Sequence, residues 1–211
     1  MDHPSRLLPL SIALVCAAVS TSSPRAAFGE IVFDNTVSPS LVGVFGPSAE
    51  QVGNEITLGG QARQISLVSW LVDTQNHSLW AGTETHIYAN DGAGGGPGTL
   101  LWSSGPLTNY LAASDTFLNV PVPNIAVPNT ITVTSQFFDA VPVALGRDYG
   151  GSTTAGGLVS SWAEYPAGVW THSFGPWAMQ VVAVPEPSSV SLTISASLLL
   201  AGVFRARCRK S

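Results

Sequence analysis

Short apolar runs rich in β-branched residues, separated by glycine and proline, recur along the middle of the chain and constrain its fold most. Glycine and proline account for 21 and 15 of the 211 residues, and most of them lie between these runs. Residues 131–137 alternate apolar and polar side chains with period two, as in a strand with one buried face. No window has a sustained helical stripe of apolar residues. The pattern predicts an all-β domain.

Other runs indicate how the strands are arranged. Residues 83–89 alternate more loosely, whereas residues 62–73 and 177–184 have apolar side chains on both faces, which suits central strands of a sandwich. The glycine-rich stretch 90–98 separates two strand-like runs, and glycines that accept positive φ predict a hairpin loop there. Strands that recur every ten or so residues with short turns favour an antiparallel β-sandwich of jelly-roll-like topology.

The amino-terminal sequence has the layout of a secretory signal peptide. Arg6 and the free amino terminus precede an apolar stretch over residues 7–19, and Ser/Thr-rich and Ala-containing sequence follows as far as Ala27. We predict a signal peptide over residues 1–27, which would direct the chain into the export pathway.

The carboxy-terminal sequence predicts a membrane-associated tail over residues 184–211. Residues 188–204 contain no charge, and as a helix they would reach roughly 26 Å, slightly less than the roughly 30 Å hydrocarbon core of a bilayer. Four cationic residues follow and should stay on the cytoplasmic side by the positive-inside bias: Arg205, Arg207, Arg209 and Lys210. We predict a transmembrane helix at 188–204, a basic tail at 205–210, and an exported domain at 28–183.

A proline-flanked acid, Pro185-Glu186-Pro187, stands at the start of this tail. Followed by an apolar segment and a basic end, it resembles the PEP-CTERM sorting signal of Gram-negative bacteria, in which Pro-Glu-Pro is the recognition motif. The resemblance implies an exosortase, a membrane-embedded processing enzyme, as partner. It also implies transient anchoring in the inner membrane, then delivery to the cell envelope or the medium. An ordinary membrane anchor is the alternative, and it explains the apolar run and the arginines but not Pro-Glu-Pro.

The predicted hairpin also resembles a known class. Residues 87–92 and 97–107, with residues 54–60 upstream and 170–177 downstream, look like a pattern common in the extracellular domains of PEP-CTERM proteins. The resemblance implies a surface domain associated with exopolysaccharide. It supplies no catalytic residues.

The predicted exported domain is strongly acidic. Residues 28–183 contain two cationic residues, Arg63 and Arg147, against eleven acids, which gives a net charge of −9 compared with −5 for the whole chain. A surface of that sign repels phosphate backbones, so nucleic acid is excluded as a partner. Acidic polysaccharide is disfavoured unless cations bridge it.

Both cysteines lie outside this domain, at Cys16 and Cys208. An exported domain of this size can be stable on its hydrophobic core without disulfides. Thiolate zinc sites, cysteine nucleophiles and redox pairs are excluded by the same fact.

Catalytic signatures are weak. Asp73 and His77 form an acid–imidazole pair, but no serine lies in a nucleophile elbow, and Ser152 has no strand–turn–helix context. The zinc-protease pattern His-Glu-x-x-His is absent. A glycosidase needs two facing carboxylates, and eleven acids neither identify nor exclude such a pair. We therefore predict no catalytic residue, no metal and no cofactor.

The glycine-rich hairpin is a weak calcium candidate. Asn90 and Asp91 and the carbonyls of the loop are hard oxygen ligands, and extracellular calcium sites often need only weak affinity. The loop has one carboxylate and lacks the spacing of an EF-hand, so a plain hairpin turn is favoured.

Aromatic residues suggest a binding function. Four of those clustered near the end of the domain are candidates for stacking on sugar rings: Trp162, Tyr165, Trp170 and Trp177. Trp170 and Trp177 flank a Gly/Pro-rich segment and are expected to be the most exposed. The alternative is that these rings fill the core between two sheets.

Three hypotheses follow from the sequence. The first is an exported, noncatalytic cell-surface or extracellular-matrix protein, sorted through its tail and associated with exopolysaccharide. The second is a carbohydrate-binding module that uses exposed tryptophans. The third is an unrecognised polysaccharide-acting hydrolase.

Overall fold

The predicted all-β class is confirmed. A computed structural model of the chain describes residues 29–38, 51–73, 79–112, 116–138, 144–145, 152–165, 168–173 and 175–186. These residues form twelve strands and one 3₁₀ turn, at Ala93–Gly95. The strands are β1 (Glu30–Asp34), β2 (Gln51–Thr57), β3 (Gln64–Asp73), β4 (Leu79–Ala89), β5 (Leu100–Ser103), β6 (Leu107–Leu111), β7 (Thr116–Ala126), β8 (Thr130–Phe138), β9 (Ala144–Leu145), β10 (Gly157–Tyr165), β11 (Val169–His172) and β12 (Met179–Val184).

The strands form two antiparallel sheets. The five-stranded sheet has the order β1-β12-β3-β7, with β9 also paired to β3. The seven-stranded sheet has the order β11-β10-β2-β8-β4-β5, with β6 also paired to β4. Every strand pairing in the described chain is antiparallel. The arrangement is consistent with a β-sandwich.

The runs predicted as strands coincide with observed ones. β8 and β4 contain the two alternating segments, and β3 and β12 contain the two runs with apolar residues on both faces. β3 lies between β12 and β7, and β12 lies between β1 and β3, so both are interior strands as predicted. The glycine-rich stretch connects the antiparallel pair β4 and β5, which confirms the hairpin.

One hydrophobic core joins the two sheets. The five-stranded sheet contributes fully buried side chains such as Phe33, Ile65 and Trp70, and the seven-stranded sheet contributes Ile56 and Ile131 among others. Burying a side chain of this size stabilises the fold by roughly 1.5–3 kcal/mol before conformational entropy is counted. The indole Nε1 of Trp70 donates across the core to Thr85 Oγ1, 3.2 Å away, so its polar group is satisfied inside the sandwich.

Two buried asparagines hold the backbone just before β12, Asn54 from the seven-stranded sheet and Asn35 from the end of β1 in the same sheet as β12. Asn54 on β2 donates to the carbonyl of Trp177 at 2.7 Å and accepts from its N–H at 2.9 Å. Asn35 donates to the same carbonyl at 2.9 Å and accepts from Met179 N–H at 2.7 Å. These bonds satisfy backbone groups that would otherwise be buried without partners.

The predicted flanking segments lie outside the described residues. This applies to the signal peptide at 1–27, the transmembrane helix at 188–204, and the basic residues Arg205, Arg207, Arg209 and Lys210. Within the described part of the chain, no helix has the length and apolarity needed to cross a membrane.

Candidate functional site

The face of the seven-stranded sheet that points away from the core combines aromatic rings with carboxylates and amides. On β2, Val52 and Ile56 enter the core, so Gln51, Gly53 and Glu55 project to the opposite face. Strand register aligns the outward residues in three rows. The first row contains Trp170, Glu164 and Gln51 on β11, β10 and β2, and Gln136 and Glu84 on β8 and β4. The second row contains His172, Trp162, Gly53, Thr134, His86 and Ser103. The third row contains Ser160, Glu55, Thr132, Tyr88 and Leu100. We call these three rows the polar-aromatic face.

Trp162 is held at the centre of this face. Its ring stacks on that of His172, with centroids 4.2 Å apart, and its Nε1 donates to Glu55 Oε2 at 2.9 Å. His172 Nδ1 also forms a hydrogen bond with Ser160 Oγ, 2.8 Å away. Only 6 % of Trp162 is exposed, because the β4–β5 loop packs over it at Gly96.

Tyr88 extends from the third row of the polar-aromatic face to the first. The phenol of Tyr88 starts in the third row and donates to Gln51 Oε1 in the first row at 3.1 Å. Thr134 Oγ1 donates to the same oxygen at 2.8 Å. Burial raises the pKa of Tyr88, and the nearby carboxylates Glu164 and Glu84 act in the same direction, against the hydrogen bond to Gln51. The phenol therefore stays protonated and acts as a donor.

Glu84 and His86 form a second polar pair on β4. The Glu84 carboxylate accepts from His86 Nε2 at 3.1 Å and from the Ser103 hydroxyl. Burial lowers the pKa of His86, and its attraction to Glu84 only partly offsets this effect. Because Nε2 is the donor of the neutral ring, Nδ1 is an acceptor. This Nδ1 is buried and has no hydrogen-bond partner in the described structure.

The side chains of Asp91 and Asn90 form hydrogen bonds with neighbouring residues of the protein. Asp91 accepts from Thr99 N–H at 2.6 Å and from Thr99 Oγ1 at 2.7 Å, and these bonds, the hydroxyl first, lower the pKa of the carboxyl. Asn90 Oδ1 accepts from Thr132 Oγ1 at 2.8 Å, while its buried Nδ2 has no hydrogen-bond partner among the residues that the structure describes. No group of three or more His, Cys, Asp or Glu residues suited to a metal occurs in the described part of the chain. The contacts of Asp91 fit the plain-turn alternative to the calcium hypothesis.

The four proposed stacking residues separate into two pairs. Trp177 is only 7 % exposed and belongs to the hydrophobic core, so the expectation of an exposed Trp177 is wrong. Its backbone is held in place by Asn54 and Asn35, which keeps the ring inside. Trp162 is on the polar-aromatic face but is covered, so its ring is not an open platform. Trp170 is half-buried and Tyr165 is 41 % exposed, and both lie on the β10–β11 hairpin.

The hydrolase candidates are not brought together in the described structure. His77 lies outside the described residues, and Ser152 lies before β10 in an irregular segment. Glu55 and Glu84 share the polar-aromatic face, but two strand spacings and four residues of register separate them, roughly 17 Å between Cα atoms at ordinary strand dimensions. Six residues of this face were not predicted from the sequence to lie together: Gln51, Glu55, Glu84, His86, Tyr88 and Glu164. For Glu84, His86 and Tyr88, their period-two spacing along β4 was the available signal.

The comparisons with known proteins give no relatives. No protein-family model matches the chain, and no curated protein and no solved structure matches it either.

Proposed function

We propose that the chain is an exported, noncatalytic cell-surface or extracellular-matrix protein that is sorted through Pro185-Glu186-Pro187 and associates with exopolysaccharide. In this proposal the β-sandwich has jelly-roll-like topology, and an exosortase processes the tail. The supporting observation is the position of the motif. β12 ends at Val184, and Pro185 and Glu186 follow it at once and are exposed.

This position makes processing compatible with a folded domain. β12 is an interior strand whose Met179, Val181 and Ala183 are buried in the core. Cleavage after β12 would leave all twelve strands in the product, whereas cleavage within it would remove buried side chains. An enzyme acting on the motif therefore meets an exposed segment and releases an intact sandwich.

Intact-mass measurement of the protein from native cells, resolved between envelope and medium, tests the sorting proposal. We expect a product that has lost the residues after the motif, and we expect Glu186→Ala to accumulate with its tail while Glu30→Ala is processed normally. A mature product that retains residues 205–211 would contradict tail processing.

A second candidate function, carbohydrate binding, is favoured by the polar-aromatic face. The rings of Tyr88 and Trp170 meet edge to face, with centroids 5.5 Å apart and planes at 71°. The Gln51 amide and the Thr134 hydroxyl lie beside the Tyr88 hydroxyl, and Asn90 Nδ2 is a donor that finds no partner among the described residues. Aromatic faces combined with a few fixed polar groups are typical of sugar sites. A glycan array read together with tryptophan fluorescence tests this, and unchanged emission across a broad glycan set would count against it.

The hydrolase alternative has less support. Glycosidases need two carboxyls about 5–10 Å apart with space for a sugar between them. Glu55 and Glu84 are more widely spaced and already accept hydrogen bonds from Trp162, His86 and Ser103. Release of new reducing ends from the native polysaccharide by the purified chain would overturn the noncatalytic proposal.

A further inference from the structure

The charged residues that the structure describes on the polar-aromatic face are all acidic apart from its histidines. Glu55, Glu84 and Glu164 lie on it, and Arg63 is the only lysine or arginine in the described part of the chain. Arg63 is engaged elsewhere: its guanidinium donates to the carbonyls of Gly59, Gly60 and Ala62 and to Asn129 Oδ1. Its partner Gly59 lies eight residues after Gln51 in the direction of β2, which places the Arg63 guanidinium roughly 25 Å from the first row. Among the residues that the structure describes, no lysine or arginine would therefore compete with a cationic ligand there.

The Tyr88–Trp170 corner suits a cation for a second reason. The rings of Tyr88 and Trp170 meet edge to face here, and the π faces of such rings attract ammonium groups. Glu164 lies directly opposite Trp170 across the β10–β11 ladder, so a carboxylate adjoins the corner. Glu164 and Glu84 are both close enough to Tyr88 to raise its pKa. The corner thus combines aromatic faces with carboxylates on two sides.

His86 independently indicates a ligand that donates a hydrogen bond. Its ring stacks beside that of Tyr88, with centroids 5.9 Å apart and planes at 28°. The residue is 8 % exposed, and its Nδ1 has no hydrogen-bond partner in the part of the chain that the structure describes. With Nε2 donating to Glu84, this atom is an acceptor. A buried acceptor without a partner is unfavourable, and an N–H or O–H group from a ligand would satisfy it.

We propose that the polar-aromatic face recognises the protonated amines of an amino-sugar polymer, through Tyr88, Trp170, Glu164 and His86. The inference rests on the carbohydrate-binding function proposed above and specifies its ligand class. An ammonium group has three donors and no acceptor, which matches carboxylate oxygens, π faces and a free imidazole nitrogen. N-acetylation would remove the charge and two of these donors, so the acetylated polymer is a poor ligand.

Oligomers of glucosamine and N-acetylglucosamine of equal length test this in calorimetric titrations. The protein is the full chain in neutral detergent, at a mildly acidic pH where the amine is protonated. We expect the glucosamine oligomer to bind at least about tenfold more tightly, the scale of one lost charge-assisted hydrogen bond. Glu164→Gln should weaken its binding by about the same factor, and added salt should weaken it further. Glu30→Gln makes the same charge change on the five-stranded sheet and should leave binding unchanged.

The outcomes separate this inference from the function on which it rests. Equal binding of both oligomers would overturn the amine preference and leave carbohydrate binding standing. Binding of neither oligomer, combined with a silent glycan array, would remove both. Oligolysine that binds as tightly as the glucosamine oligomer, or Glu30→Gln that weakens binding as much as Glu164→Gln, would show general attraction to an acidic protein and overturn the proposal.

Discussion

At the scale of single residues, the fold depends on a few buried polar side chains. Asn54 satisfies both the N–H and the carbonyl of Trp177, and Asn35 shares the carbonyl. Each bond joins β2 or the end of β1 to the backbone that leads into β12. Asn54 therefore links one sheet to the other, whereas Asn35 joins two neighbouring strands of the five-stranded sheet, and both satisfy backbone groups in the buried interior.

Asn54→Leu should destabilise the protein by about 1–3 kcal/mol, because the N–H of Trp177 loses the bond it makes to Asn54 in the core. Thermal and urea unfolding measure the change. Asn119→Leu is the matched control, since Asn119 is exposed and accepts from Ser69 Oγ on the outside of the five-stranded sheet. Equal losses for the two variants would contradict the role assigned to Asn54.

The state of His86 predicts a pH dependence. Burial lowers its pKa below the ordinary value of 6.5 despite the attraction of Glu84, so the folded state binds a proton less readily than the unfolded state. The contribution of neutral His86 to the free energy of unfolding is complete above pH 6.5. It is lost as the pH falls through 6.5 and then through the pKa of His86 in the folded state. His86→Gln should flatten this part of the stability profile, which urea unfolding at a series of pH values measures. An unchanged slope in His86→Gln would show that other groups cause it.

At the scale of elements, the β4–β5 hairpin forms a cover over the polar-aromatic face. Its turn is fixed by Asp91 and Thr99, and Gly94 and Gly95 adopt positive φ values of 68° and 78°. Gly96 and Pro97 are buried, which is unusual for a loop, because Gly96 lies against the ring of Trp162. The hairpin thus decides how much of Trp162 meets solvent.

Gly96→Val should displace the β4–β5 loop from the ring of Trp162. A Cβ at position 96 would lie 2.9 Å from Cη2 of Trp162, and a branched side chain would need still more space. We expect a loss of stability of about 1–3 kcal/mol from overpacking, with red-shifted tryptophan emission and stronger acrylamide quenching. Ala93→Ser, at an exposed position of the same loop, is the control. Emission and quenching that match the wild type would contradict the packing of the loop on Trp162.

Local pattern and long-range pairing differ in what the sequence can predict. Side-chain alternation is a property of one strand, so β8, β4, β3 and β12 could be identified from it. The polar-aromatic face depends on register among strands far apart in sequence, for example Gln51 on β2 beside Glu164 on β10. No local pattern encodes that pairing. Trp177 was misplaced for the same reason: its Gly/Pro-rich surroundings indicate a loop, while Asn54, far away in sequence, holds it in the core.

At the scale of the whole molecule, the sandwich and its tail meet at the end of β12. A chain that ends at Val184 should fold with the same β-sheet circular dichroism and nearly the same unfolding temperature as the full chain. A chain that ends at Ala178 loses Met179, Val181 and Ala183 from the core and the strand that joins β1 to β3, so it should not fold cooperatively. Cooperative unfolding of that shorter chain would contradict the central position of β12.

The carbohydrate-binding proposal places polysaccharide on the polar-aromatic face. Its most direct test is the affinity of the native exopolysaccharide for the wild type, for Trp170→Ala, and for Phe117→Ala, which removes an exposed ring from the five-stranded sheet. We predict that Trp170→Ala weakens binding by roughly three- to tenfold, the scale of one aromatic contact, and that Phe117→Ala has no effect. Unchanged affinity in Trp170→Ala, or an equal loss in Phe117→Ala, would contradict the claim.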